Sequence, residues 1–178
     1  MPNVSKEDEF ERTYLAKFIP PELANVIPKH LIDVYIPQDA ADPHLRLRQK
    51  DNQYEITKKV VVNADDVSHQ TEETIPLTGQ EFTALTHTAT QKIVKDRYYV
   101  DLSGYPAQVD VFRGDLGGLV VIDFEFTSAA AKADFTAPDC CLVEVTQEYF
   151  IAGGRLPGKT YGDIEADLKR LKYVALTQ

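Results

Sequence analysis

The sequence predicts a mainly β fold of the α+β class, in which an antiparallel sheet curls or closes and a few helices pack outside it. Two observations predict this fold. Short runs in which polar and apolar residues alternate recur along most of the chain, and several neighbouring runs are joined by tight turns. Helical patterns are fewer, and they separate or follow these runs. Strands are expected at residues 8–16, 31–37, 44–50, 53–62, 70–77, 92–101, 106–114, 117–126 and 140–148.

Turn and cap signals define the elements between the strands. Residues 50–53 form a short polar turn, and the glycine-rich residues 114–118 form a second one. Thr78 and Glu81 have the spacing of a capping box, and Ser128 can cap a short helix. Helices are therefore expected near residues 20–23 and over residues 78–89, 129–135 and 160–174.

Length and composition indicate one globular domain over residues 1–178, with a helical C-terminal segment at residues 155–178. The chain has 178 residues, of which 43% are hydrophobic and 26% are charged. Its net charge of −9 argues against binding to nucleic acid or to a membrane surface. An anionic small molecule stays compatible with this charge, because carboxylates that hold a metal can bind phosphates indirectly.

Three features favour a cytoplasmic location. No apolar run approaches the roughly 20 residues that cross a bilayer. Residues 1–10 are polar and acidic, unlike a signal peptide. The two cysteines, Cys140 and Cys141, are adjacent and cannot join distant elements, which fits a reducing compartment. We interpret these cysteines as core residues rather than as a redox pair.

Charges of the same sign repeat at two-residue spacing on four of the expected strands, and each pair therefore shares one face. On a single strand, such a pair would fit the solvent face of an ordinary sandwich. On four strands the repetition is unfavourable for stability, because like charges repel. It is explained if acidic pairs bind a cation and basic pairs bind phosphates inside a barrel. The pairs are Glu9 and Glu11, Arg46 and Arg48, Lys95 and Arg97, and Asp123 and Glu125.

Seven segments follow one another in the order found in a known family. They lie at residues 9–15, 45–48, 54–59, 95–98, 109–114, 118–125 and 144–146. Together they resemble the CYTH proteins, also called triphosphate tunnel metalloenzymes, over roughly residues 8–150. The resemblance implies an eight-stranded antiparallel tunnel. Many members hydrolyse inorganic triphosphate or thiamine triphosphate, and some cyclise ATP.

The resemblance also implies a role for each matching residue. The metal, Mg²⁺ or Mn²⁺, would be held by Glu9, Glu11, Asp110, Asp123 and Glu125. The phosphates would be held by Arg46, Arg48, Lys59, Lys95 and Arg97. Glu9, Glu11, Lys59 and Lys95 would be the catalytic residues. Glu72 and Glu144 would complete an acidic wall. Lys59 rather than Lys58 matches the family pattern, and Arg12 is expected to point away from the tunnel.

The sequence departs from the family pattern at several positions. Thr13 stands where a lysine is usual, Thr74 where a second glutamate often follows, and Gln70 where a basic residue is common. Residues 147–152 replace the usual basic segment that ends in asparagine. These changes leave the metal-binding set nearly complete and thin the phosphate-binding set.

The function predicted from the sequence is therefore metal-dependent hydrolysis of a triphosphate. Inorganic triphosphate is the first choice of substrate, and thiamine triphosphate and ATP are the others. Two alternatives stay open: an adenylate cyclase of the class IV type, and a polyphosphate- or nucleotide-binding module with weakened catalysis. No nucleic acid or membrane partner is expected, and a homodimer is left open.

Overall fold

The computed structural model describes residues 5–38, 45–63 and 66–177, and for residues 5–9, 61–63 and 66–70 it describes the backbone only. Within these residues, nine strands form one antiparallel sheet in the order β5-β4-β3-β2-β6-β7-β8-β1-β9, and β5 also pairs with β1. The strands are β1 (Ser5–Ala16), β2 (Lys29–Ile36), β3 (Leu45–Lys50), β4 (Gln53–Asn63), β5 (Asp66–Leu77), β6 (Ile93–Leu102), β7 (Tyr105–Phe112), β8 (Val120–Phe126) and β9 (Cys141–Glu144).

The mainly β, antiparallel character of the fold is confirmed, and nine strands lie close to the nine expected positions. The clearest difference is β9, which ends at Glu144 rather than near residue 148. The backbone N–H of Thr13 binds the hydroxyl of Thr146 instead of a backbone carbonyl, and the chain then turns, with Glu148 N–H donating to Val145. Val145 N–H still donates to the carbonyl of Thr13, but the return hydrogen bond from Thr13 N–H goes to a side chain, and the strand pairing ends there. Closure of eight strands into a barrel stays a prediction.

The three helices of the described residues begin within one residue of their predicted starts, but each ends two to four residues earlier than predicted. They are α1 (Gly79–Thr86), α2 (Ala129–Ala133) and α3 (Tyr161–Arg170), with short 3₁₀ turns at Pro21–Asn25, Gly114–Leu116, Tyr149–Ile151 and Gly153–Arg155. Thr78 forms the expected capping box with Glu81, and the Ser128 hydroxyl accepts from the N–H of Ala131. Thr160 forms a second capping box at α3. No helix in the described part of the chain is long and apolar enough to cross a membrane.

One face of the sheet carries an aromatic core. Tyr14, Phe124 and Phe135 are all at most 7% exposed, and they belong to one apolar cluster. The ring centroids of Phe124 and Phe135 are 4.6 Å apart, and Tyr14 meets Phe124 edge to face at 6.0 Å. Because side chains alternate along a strand, the neighbours of Tyr14 and Phe124 point to the opposite face.

A second apolar cluster lies at one end of that opposite face. Leu15 and Val121 point to the same side as Thr13 and Asp123, two residues along β1 and β8. Both belong to a buried cluster that includes Leu168 of α3. The C-terminal helix therefore packs where the polar part of this face ends.

Leu168 tests how strongly this packing stabilises the fold. Its side chain is fully buried, so Leu168→Ala should lower the free energy of unfolding by about 2–5 kcal/mol. Lys169→Ala is the matched control, because the neighbouring Lys169 side chain is 68% exposed and should change stability by less than about 0.5 kcal/mol. Urea unfolding of both variants measures the difference. Equal losses would show that α3 is not docked through Leu168.

Candidate functional site

Charged side chains occupy the middle of the sheet face that is opposite the aromatic core. Arg48 on β3 lies directly across from Asp33 on β2, and its Nε and Nη2 each donate to a different carboxylate oxygen at 2.6 Å. Asp33 is 1% exposed and Arg48 is 7% exposed. The Nζ of Lys95 on β6 lies 3.8 Å from the same carboxylate. The charges of Asp33 and Arg48 can both be buried because each compensates for the hydration that the other has lost.

Asp110 forms the next ion pair along this face. It lies on β7 across from Arg97 of β6, and Arg97 donates to its two oxygens at 2.6 and 2.7 Å. Lys95 donates to Asp110 at 2.5 Å, and Arg97 also donates to the side-chain oxygen of Gln108. Arg97 then lies 3.8 Å from Asp123 on β8. The described ion pairs thus connect β2, β3, β6, β7 and β8.

The surroundings shift the acidity of these groups in opposite directions. Burial alone would raise the pKa of Asp33 and of Asp110, but their cationic partners outweigh it and hold both pKa values well below the usual range. Burial, together with the nearby charge of Asp110, raises the pKa of Asp123. Burial lowers the pKa of Lys95. The two acids with cationic partners therefore stay ionised at neutral pH.

A more open group of charges lies on β3, β4 and β5. Lys59 is across from Glu72, and their charged atoms are 3.0 Å apart. Burial would raise the pKa of Glu72, but Lys59 and Arg46 lower it to about 2. Thr74 donates to Glu72 at 3.0 Å and shares a 2.9 Å hydrogen bond with Thr57. Thr74 therefore supports Glu72 at the position where the family often has a second glutamate.

Arg46 differs from the other cations of this face. Its Nη2 is 3.8 Å from Glu72, beyond hydrogen-bond distance. Its Nε is buried, and no described residue accepts a hydrogen bond from it. A buried donor that lacks an acceptor is unfavourable, so it marks a place where a ligand oxygen would be stabilising. Arg46 is therefore the cation of this face that is best placed to receive an anion.

Carboxylates gather on the part of the face formed by β1 and β8. Glu11 lies across from Glu125, and Thr13 lies across from Asp123. Thr13 donates to Asp123 at 2.8 Å, and Gln108 donates to Glu125 at 2.5 Å. Carboxylate oxygens are the ligands that Mg²⁺ and Mn²⁺ prefer, so the chemistry of this set fits the implied metal.

The predicted five-residue metal set is not assembled as such. No group of three or more His, Cys, Asp or Glu residues in the described part of the chain is arranged to hold a metal ion. Both oxygens of Asp110 already accept from cations, which makes it a poor ligand. The backbone of Glu9 pairs with that of Gln70 on β5, but both side chains lie outside the described part of the structure.

Glu144 lies away from the other predicted residues. It is across from Tyr14, whose hydroxyl donates to it at 3.3 Å, and Arg12 lies 3.5 Å from it. Tyr14 belongs to the aromatic core, so Glu144 is on the opposite face from Glu72 and Asp123. The expectation that Glu144 completes the acidic wall is corrected by this position. Arg12 points away from the charged face, as predicted.

Solved structures similar to this one include two of the protein NE1496, although no family model and no curated protein matches the chain. One is the crystal structure of the inorganic triphosphatase NE1496, which is 27% identical over 83% of this chain and 93% of that chain, with a TM-score of 0.60. The other is a structure of the hypothetical protein NE1496, 27% identical over 83% of this chain and 96% of that chain, also with a TM-score of 0.60. The chain has the CYTH fold.

Within this CYTH fold, the structure brings together most of the side chains implied by the resemblance. The five predicted phosphate ligands are Arg46, Arg48, Lys59, Lys95 and Arg97, and each lies within 3.8 Å of a carboxylate oxygen. Lys58, by contrast, is exposed. The roles of these residues in binding and catalysis stay predictions.

Asp33 and Gln108 are members of this charged face that the sequence interpretation missed. Asp33 is a single acidic residue between Ile32 and Val34 in an apolar strand, which is the pattern of an isolated inward-facing charge. Gln108 is neutral, and no same-sign pair marks it. Neither residue belongs to a same-sign pair at two-residue spacing, so that pattern does not mark either of them.

Asp110 predicts how stability depends on pH. Its pKa is lower in the folded than in the unfolded chain, so its contribution is complete above the unfolded value of about 4 and is lost as the pH falls below it. The free energy of unfolding should therefore decrease more steeply between pH 4 and pH 2 in the wild type than in Asp110→Asn, measured by urea unfolding in EDTA. The exposed Asp139→Asn should keep the wild-type slope. Equal slopes in Asp110→Asn and the wild type would contradict this role.

Proposed function

We propose that this chain hydrolyses a triphosphate, with inorganic triphosphate as the first candidate, by using a divalent metal within a tunnel of eight strands. One observation carries the proposal. Five cations, each within 3.8 Å of a carboxylate oxygen, lie on the same sheet face as Glu11, Asp123 and Glu125, and Arg97 lies 3.8 Å from Asp123, so cations suited to phosphate adjoin carboxylates suited to a metal. The similar protein NE1496, an inorganic triphosphatase, supports the choice of reaction.

The pairing of β1 with β5 supports a tunnel. Eight strands follow one another from β5 through β4, β3, β2, β6, β7 and β8 to β1, and β1 pairs in turn with β5. A sheet whose first and last strands pair has the connectivity of a barrel. In such a barrel the charged face would line the interior, and α3 would pack at one end.

Arg46 and Lys59 are proposed to make the first contacts with phosphate. Lys59 is 30% exposed and Arg46 is 15% exposed, whereas the side chain of Arg48 is 8% exposed. The guanidinium of Arg46 can donate two hydrogen bonds to a phosphate, and Lys59 adds a point charge. Phosphoryl transfer depends mainly on such positioning and on neutralisation of charge.

Glu11, Asp123 and Glu125 are proposed to hold the metal, together with Glu9. A divalent ion bound there would polarise a phosphoryl oxygen and activate an attacking water. Asp110 is reassigned from metal ligand to a residue that positions Lys95 and Arg97 through the hydrogen bonds described above. Thr13 donates a hydrogen bond to Asp123 but adds no positive charge beside it.

The direct test is a panel of substrates. Phosphate release from inorganic triphosphate, thiamine triphosphate and ATP should be measured with Mg²⁺, with Mn²⁺ and with EDTA, and cyclic AMP should be assayed in the ATP reactions. We expect metal-dependent release from inorganic triphosphate. Glu11→Gln should lower kcat/KM by roughly 100-fold, since it removes a carboxylate from the metal site.

Glu165→Gln is the matched control for this change. Glu165 lies on α3, where it is 47% exposed and pairs with Lys169, so its loss should leave turnover unchanged. Wild-type turnover that is no greater than that of Glu11→Gln would contradict the proposal. Cyclic AMP formation without phosphate release would favour the cyclase alternative.

Arg46 provides a separate test of the phosphate site. Removing a charged hydrogen bond typically weakens binding by about tenfold or more, so Arg46→Gln should raise KM for triphosphate by that factor. Arg170→Gln is the control, because Arg170 pairs with Glu148 on the surface, where its side chain is 53% exposed. Similar KM values in the two variants would exclude Arg46 from the site.

One observation favours a binding module as the second candidate. The neutral hydroxyl of Thr13 donates to Asp123 at a position where the family usually has a lysine. One cation is therefore missing beside the proposed metal-binding residues. Calorimetry that shows metal-dependent binding of triphosphate, without turnover of any substrate in the panel, would support this candidate over the enzyme.

A further inference from the structure

Arg46 and Arg48 lie on the same strand and the same face, but their guanidinium groups are in opposite states. Arg48 uses its Nε and Nη2 for two 2.6 Å hydrogen bonds to Asp33. Arg46 has a buried Nε with no acceptor among the described residues. The Nε and Nη2 edge is the edge that grips a phosphate through two parallel hydrogen bonds. In Arg48 this edge is occupied, and in Arg46 it is available.

Asp33 is well placed to keep Arg48 occupied. It is 1% exposed, it lies across from Arg48 in the register of β2 and β3, and the Nζ of Lys95 lies 3.8 Å from its Oδ2. Its low pKa means that protonation does not release Arg48 near neutral pH. A phosphate that approaches Arg48 must therefore replace a carboxylate that is already desolvated and aligned.

We propose that Asp33 is a specificity-determining residue, which competes with phosphate for Arg48 and confines anion binding to Arg46 and Lys59. This inference rests on the proposed triphosphate site. Asp33 does not touch the substrate in this role; it withholds one cation from it. A long polyphosphate would lose more than a short one, because the withheld cation would serve the additional phosphoryl group.

The test compares dissociation constants for inorganic triphosphate and pyrophosphate, measured by calorimetry once in EDTA and once with Ca²⁺ in place of Mg²⁺, with phosphate release assayed in parallel so that any turnover is detected. Asp33→Asn should bind triphosphate about tenfold tighter than the wild type, with a smaller gain for pyrophosphate. Asp96→Asn is the matched control. It makes the same change in net charge, but Asp96 pairs with Arg113 and His30 on the other face. Its affinity should stay near that of the wild type.

A second variant guards against misfolding, because Asp33→Asn leaves Arg48 buried with a weaker partner. Asp33→Asn/Arg48→Gln removes both charges, and thermal unfolding checks that it folds. If Arg48 is withheld in the wild type, this double variant should keep the wild-type affinity within about threefold, whereas Arg46→Gln should weaken it by about tenfold.

The outcomes separate this inference from the proposed function. If the wild type binds triphosphate and Asp33→Asn gains no more than Asp96→Asn, Asp33 does not set specificity and the proposed function stands. A double variant as weak as Arg46→Gln would also overturn the inference, since Arg48 would then already serve the ligand. If no variant and no wild-type protein binds or hydrolyses triphosphate, the proposed function fails and the inference fails with it.

Discussion

The carboxylate of Asp110, which accepts hydrogen bonds from Lys95 and Arg97, is the interaction on which the rest of the charged face depends. A charge removed from water is tolerated only when a partner compensates for its lost hydration. Lys95 also approaches Asp33, and Arg97 also approaches Asp123, so the network extends across five strands. The packing of these strands therefore depends on the arrangement of their charges. Loss of one charged residue would leave another buried charge without a partner.

Much of the fold could be predicted from the sequence because its signals are local. Alternation with period two located the strands, the caps Thr78 and Ser128 located the starts of α1 and α2, and the helical spacing of apolar residues located α3. The end of β9 could not be predicted in the same way. It depends on Thr146, whose hydroxyl reaches the backbone of Thr13, 133 residues away in sequence. The face on which Glu144 lies also depends on tertiary pairing, because the register of β1 and β9 sets it across from Tyr14 of the aromatic core.

The site was predictable in its residue types and not in its pairing. Same-sign pairs at two-residue spacing marked Arg46 and Arg48 equally, since both alternate with leucine in one strand. Their difference comes from their neighbours in space, because Asp33 faces Arg48 while Tyr35 faces Arg46. Asp33 itself gave only the weak signal of one acid in an apolar strand. A sequence pattern can thus identify which cations line a face, but the partners of those cations decide which of them can bind a ligand.

This pairing couples stability to binding. Each carboxylate that pairs with a cation of this face stabilises the fold by neutralising a buried charge, and the same contact must weaken when an anion takes its place. Glu72 can release its cations most easily, because its side chain is 19% exposed and it also accepts a hydrogen bond from Thr74, whereas Asp33 is buried against Arg48 and Lys95. The open group on β3, β4 and β5 can therefore exchange partners at a lower cost in free energy than the closed group, which consists of Asp33, Arg48, Lys95, Arg97 and Asp110. An anion would enter at Arg46 and Lys59 for this reason, and the closed group would hold the shape of the face while it binds.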